Sequence, residues 1–174
     1  MFLFDYRGYG KSEGSPDEQG IYADSEAAYA YVTEELGVPA HRVVLLGRSL
    51  GSAPTARLAT MVPHAATVLV SPIPSARHMA RRMFAGLPVD WFARSHFPVV
   101  DWVGERRSPL LVIHGDRDGV VPLRFGREVF DAAADPKQFL ELPGAGHNDI
   151  LSVSGRDYVG PLVAFAKGAV TARR

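Results

Sequence analysis

Residues 42–51 read RVVLLGRSLG, and their order decides the fold. Val43-Val44-Leu45-Leu46 is a short, partly β-branched apolar run, the pattern of a strand buried on both faces. It runs straight into Gly47-Arg48-Ser49-Leu50-Gly51. Leu50–Met61 then has helical character, with Pro54 in the first turns, where a missing N–H matters least. A buried strand, a tight turn carrying serine between two glycines, and a helix together form the setting in which a strained turn presents a nucleophilic hydroxyl. Gly-x-Ser-x-Gly alone is a weak signal. A plain glycine-rich strand–helix turn is the competing reading.

The same alternation continues on both sides. Phe2–Tyr6 reads as a strand, followed by a turn through Gly8, Gly10 and Gly14. Its end, Gly10-Lys11-Ser12, invites a phosphate-loop reading, but that motif needs glycine five positions before Gly10, where Asp5 stands. Asp17–Leu36 carries Ile21, Ala28, Tyr31, Val32 and Leu36 at helical spacing, and Gly37 and Pro39 end it. Strands are expected at Ala66–Val70, Pro109–His114 and Gln138–Leu142, and helices at Phe125–Ala134 and Asp157–Val170. Strands alternating with helices predict an α/β fold: a mostly parallel sheet of about five strands with helices on both faces.

One stretch, residues 72–107, breaks the rhythm. It holds Met79, Met83, Phe84, Trp91, Phe92, Phe97 and Trp102, interrupted by Pro74, Pro88 and Pro98. It reads either as a short cap supplying an apolar acyl pocket or as an irregular cover for the sheet; aromatic clusters favour the second. The first reading carries an expectation of preference for apolar acyl groups.

Composition narrows the classes. A chain of 174 residues fits one domain. Lys plus Arg and Asp plus Glu number 19 each and are mixed along the chain, so nothing suggests a nucleic-acid partner. The absence of cysteine excludes disulfides and thiolate chemistry. No apolar run reaches the ~18 residues of a spanning helix, and no signal peptide is visible; a cytoplasmic location is the expectation.

A serine hydroxyl needs a base to act as a nucleophile, and the base needs an orienting carboxylate. In strand–elbow–helix folds these follow in the order Ser, Asp or Glu, His. Of six histidines, only His147 lies in a glycine-rich loop after a strand, Pro143-Gly144-Ala145-Gly146-His147-Asn148-Asp149. His41, His64, His78 and His96 read as surface or packing residues, and His114, ending a strand, as a backbone hydrogen-bonder. Asp116 and Asp118 both lie in the loop after the Pro109–His114 strand. Spacing does not choose between them, and one is expected to cap a turn.

Nearly the whole chain resembles the α/β-hydrolase serine hydrolases, in the lid-poor branch that includes protein depalmitoylases and their bacterial relatives. The resemblance rests on residues 4–12 (FDYRGYGKS), Tyr22-Ala23-Asp24, residues 47–54 (GRSLGSAP), Ser71-Pro72, His114-Gly115 with Asp118 and Val121-Pro122, and residues 144–149 (GAGHND). It implies Ser49 as nucleophile, His147 as base and Asp118, three places before Val-Pro, as orienter. It further implies the Leu50 N–H as oxyanion donor, and Arg48, Ser71 and Ile73 near the substrate. The implied substrate is a small-molecule or lipidated acyl ester or thioester, with no metal or organic cofactor. The five strands would match the family's fourth to eighth. The resemblance thus implies a fold without its front, lacking the loop that supplies a second oxyanion donor and leaving a sheet edge open to self-association. Two alternatives accompany the esterase or thioesterase reading: a catalytically impaired remnant, and a serine peptidase of the same fold.

Overall fold

A computed structural model of the protein describes residues 1–83 and 96–172. Four strands, β1 (Val44–Arg48), β2 (Ala66–Val70), β3 (Leu110–Gly115) and β4 (Lys137–Leu142), form a sheet in the order β1-β2-β3-β4. Every pairing is parallel, with Leu46 opposite Val68, Val68 opposite Leu111 and Leu111 opposite Gln138. Among the described residues six α-helices surround them: α1 (Glu18–Ala30), α2 (Ser52–Met61), α3 (Ala76–Met83), α4 (Val99–Glu105), α5 (Leu123–Ala132) and α6 (Ile150–Ala172).

The period-two geometry of strands sorts the core into two layers. Leu69, Leu110 and Val112 point to one face, where Ile21 and Tyr22 of α1, Ala53 and Ala56 of α2, Val99 and Val103 of α4, and Phe125 and Val129 of α5 cover them. Val68, Val70, Leu111 and Ile113 point to the other, beneath Ile150, Tyr158, Leu162 and Phe165 of α6. Helices therefore cover both faces. Local signals place the elements. The Asp17 side chain caps α1 by accepting from the Gly20 N–H at 2.9 Å. The helical path continues through a wider turn, Tyr31–Glu35, and stops at Gly37 with φ of 63°. α6 is broken at Gly155, where φ is 31° and ψ −103°, so it begins earlier than the periodicity of 157–170 predicts.

Two expectations are corrected. The sheet has four strands among the described residues, not about five, because Phe2–Tyr6 joins no ladder. Its side chains find aromatic partners instead. Phe4 meets Tyr6 edge-on at 4.9 Å, Phe2 lies 5.6 Å from Tyr31, and Tyr6 rests against the core. The turn after it is closed by Gly8 N–H to the Glu13 carbonyl and Ser12 N–H to the Tyr9 carbonyl, and Arg7 is anchored on Asp24 at 2.8 Å. Second, β1 is not buried on both faces: it is the sheet's edge strand, and Leu46 is 49% exposed.

In the irregular stretch, Phe97 and Trp102 serve the core. They pack edge-on against Tyr22 at 5.9 and 5.6 Å, and Met79 rests on the same layer. Phe84, Pro88, Trp91 and Phe92, which carry the cap reading, lie outside the described residues.

Candidate active site

The C-terminal ends of β1, β3 and β4 bring three loops to one end of the sheet, where parallel sheets carry their sites. β1 delivers Ser49 at the start of a tight turn, Ser49–Gly51, that leads into α2. Ser49 has φ of 53°, in the left-handed region that non-glycine residues seldom adopt. Gly47 permits the turn: a Cβ there would lie 2.3 Å from the Gly51 carbonyl oxygen and 2.5 Å from Thr55 Oγ1. The hydroxyl of Ser52 closes the turn from below, donating to the Ser49 carbonyl at 2.6 Å.

β3 ends in Gly115, β4 in Leu142, and the loops beyond them lie against each other. A Cβ on Gly115 would come within 2.2 Å of the Ala145 carbonyl oxygen, so only glycine allows this approach. Asp116 Oδ1 accepts from the Gly144 N–H at 2.7 Å, and the Arg117 N–H donates to the Ala145 carbonyl at 2.9 Å. Asp116 is thus the turn-holding aspartate of the pair.

Asp118 is the other. Its side chain is fully buried. Oδ1 accepts from the N–H groups of Val120 and Val121 at 3.0 and 2.7 Å, which fixes the carboxylate, and Oδ2 accepts from His147 Nδ1 at 2.7 Å. The far side of the same ring, Nε2, lies 3.1 Å from Ser49 Oγ. Burial pushes the Asp118 carboxyl up, but the hydrogen bonds from His147 and Val121 outweigh it, and the net displacement is below the ordinary carboxylate value. An ionised Asp118 holds the proton on Nδ1 and leaves Nε2 free to accept one from Ser49.

The remaining expected residues fall as follows. Leu50 is 41% exposed, and its N–H opens the turn, where helical N–H groups lack internal partners. Ser71 is buried behind Asp118 with φ of 45°. Its hydroxyl lies close enough to help lower the carboxyl, yet no hydrogen-bond geometry links the two. Ile73 is 4% exposed and belongs to the core layer under α2. Neither Ser71 nor Ile73 presents a side chain to solvent. Arg48 is exposed, and it reaches the His147 loop, with Nη2 donating to the His147 carbonyl and, at 2.9 Å, to Asn148 Oδ1.

Sequence reasoning missed two further features. His114, expected as a backbone hydrogen-bonder, does donate from Nε2 to the Val121 carbonyl at 2.8 Å, but the same nitrogen also lies 3.5 Å from Asp118 Oδ2. A histidine four residues before an aspartate was the available signal. A cleft of about 720 Å³ opens beside the Asp118 loop, and His78, Arg81, Gly119, Arg124 and Phe125 line it. Its lining also includes Asp118 and Pro122, so it mixes both charges with apolar surface. Another cavity, of about 650 Å³, lies away from Ser49 among Phe2, Phe4, Arg7 and Asp24.

No family model matches the chain. An alpha/beta hydrolase domain-containing protein of Caenorhabditis elegans, aho-3, is 38% identical over 150 residues, covering 86% of this chain and 44% of its own length. The human alpha/beta hydrolase domain-containing protein 17B is 35% identical over 150 residues, covering 86% of this chain and 51% of its own. The chain thus spans about half the length of these curated relatives. Among solved structures, the Pyrococcus furiosus esterase Pf2001 superposes with a TM-score of 0.78 at 21% identity, over 95% of this chain and 69% of its own.

Proposed function

The chain belongs to the α/β-hydrolase superfamily, and from that premise we propose that it is a serine hydrolase that cleaves carboxylic esters or thioesters through an acyl-enzyme on Ser49. One observation carries the reading: a continuous hydrogen-bonded chain from Ser49 Oγ through the His147 ring to Asp118, at 3.1 and 2.7 Å.

In this mechanism Ser49 Oγ attacks the acyl carbon while His147 Nε2 takes its proton. The Leu50 N–H donates to the oxyanion of the tetrahedral intermediate. His147 returns the proton to the departing alcohol or thiol, leaving Ser49 acylated. Water then attacks the acyl carbon, losing a proton to Nε2; the second tetrahedral intermediate expels Ser49 Oγ, which takes that proton from Nε2, and the carboxylic acid leaves. Asp118 stays ionised throughout and stabilises the imidazolium. No redox or metal-bound group enters the balance.

The test is a fluorophosphonate probe and a series of nitrophenyl esters of increasing acyl length. Wild-type protein should be labelled, and Ser49→Ala should lose both label and turnover. Labelling that persists in Ser49→Ala would remove Ser49 as nucleophile. A rate that rises with acyl length supports an apolar acyl site; a flat series assigns the aromatics to packing alone.

A further inference from the structure

Arg48 joins two parts that the proposed chemistry must keep in register. It ends β1, one residue before Ser49, and its guanidinium crosses to the loop of the proposed base. That loop is otherwise tied from the opposite side and from within. Gly144 is held by Asp116, Ala145 by the Arg117 N–H, and the Gly146 N–H by Asp149 Oδ1 at 2.6 Å. The first two bonds fix Gly144 and Ala145 to the loop after β3 that carries Asp118, and the third closes the base loop on itself. The Arg48 bonds fall at His147 and Asn148 themselves and come from the nucleophile's side. Both bonds leave one nitrogen, Nη2, whose two N–H groups are held in the guanidinium plane, so the His147 carbonyl and the Asn148 side chain are gathered onto one group that comes from the end of β1.

We propose that Arg48 is a positioning residue: it sets the approach of His147 Nε2 to Ser49 Oγ by clasping the base loop to the nucleophile strand. This inference rests on the hydrolase reading above. Arg48 touches neither reacting oxygen nor ring nitrogen, and acts through the His147 backbone. The guanidinium is exposed, and such surface hydrogen bonds add little to stability. Its contribution is geometric, where a displacement of 1 Å is worth about 10²-fold in rate.

The experiment compares Arg48→Met, which keeps the aliphatic stem and removes the donors, with Arg48→Lys and Asn148→Ala. With nitrophenyl butyrate as probe, Arg48→Met should lower kcat by about 10- to 100-fold with KM changed by less than about twofold. Its unfolding midpoint should stay within about 2 °C of wild type. Arg48→Lys should recover part of kcat, and Asn148→Ala should lose less than Arg48→Met. Independently of turnover, the downfield proton resonance of His147 Nδ1–H should broaden and exchange faster in Arg48→Met. A kcat within about twofold of wild type together with an unchanged ring-proton signal overturns the proposal. So does a rise in KM alone, which would make Arg48 a substrate contact, or a kcat loss matched by loss of folded protein. Should wild type take no probe at Ser49 and turn over no ester, the hydrolase reading falls. The clasp is then judged on the ring signal, and an unchanged signal in Arg48→Met overturns it.

Discussion

At the scale of single residues, the two loop aspartates separate cleanly by what each oxygen accepts. Asp118 Oδ2 faces His147 Nδ1, while Asp116 Oδ1 faces the Gly144 backbone. Asparagine at 118 would offer an amide where the ring needs an acceptor, or force the wrong tautomer. Asp118→Asn should therefore lower kcat on the order of 10⁴-fold with the fold intact. Asp116→Asn keeps an oxygen that can accept from Gly144, and its turnover should stay within about threefold of wild type. Steady-state ester kinetics on the two variants decides the assignment, and a reversed ranking would transfer the orienting role to Asp116. Ser49 stood out in the sequence because Gly47 and Gly51 flank it in a strand-to-helix turn, and His147 because Gly144 and Gly146 precede it in a loop after a strand. The choice between Asp116 and Asp118 was not legible from spacing, since it depends on which carboxylate the valine N–H groups turn inward. The resemblance places Arg48 near the substrate, but its bond to a carbonyl 99 residues away is invisible to any local window of sequence.

At the scale of elements, the site depends on strand ends approaching each other more closely than any side chain allows. Gly115 is the clearest case, with a backbone oxygen 2.2 Å from where a Cβ would stand. Backbone cannot rotate away as a long side chain can, so Gly115→Ala must push the β3 and β4 loops apart. We expect destabilisation of about 1–3 kcal/mol and a fall in kcat larger than that of a distant core variant of equal stability, measured by chemical denaturation and ester turnover. Val129→Ala, a truncation of a fully buried side chain on α5, makes the control: a loss of stability in the same range, with less effect on kcat. Element types were read well where periodicity was strong, as at 66–70 and 109–114, which lie in the sheet centre with both faces covered. The failures share a cause. Phe2–Tyr6 has strand composition, and Val43–Leu46 has the composition of a central strand, but pairing and burial are properties of neighbours, which no local window contains.

At the scale of the whole molecule, two buried groups beneath the site link folding to pH. Burial pushes the His114 imidazole down, with the Val121 carbonyl and Asp118 acting against it. The folded state therefore binds this proton less readily than the unfolded chain, and stability should fall as pH drops below the ordinary histidine value of 6.5. Asp118 is displaced downward, so its contribution is complete above the ordinary value of 3.8 and is lost as pH falls through its lower folded value. Unfolding followed downward from pH 7 should show stability falling below pH 6.5 and again below pH 3.8, and His114→Gln should remove the first phase; a midpoint that does not change between pH 7 and pH 5 would contradict the His114 assignment. The other whole-molecule property is surface. Phe2, Phe4, Tyr31, Leu36 and Leu46 are each at least 40% exposed. Phe2, Phe4 and Tyr31 form one aromatic string, and β1 is the sheet's edge. An edge with unpaired backbone groups and apolar side chains favours association with a second copy. We expect this 174-residue chain to run as a dimer or larger species by size-exclusion chromatography with light scattering. Leu46→Lys places a charge on the edge strand, where it should oppose edge-to-edge pairing without touching the Ser49 turn. It should shift the population toward monomer at unchanged turnover. A wild-type chain that elutes as a stable monomer at high concentration would show that the aromatic string and the β1 edge are compatible with solvent as they stand.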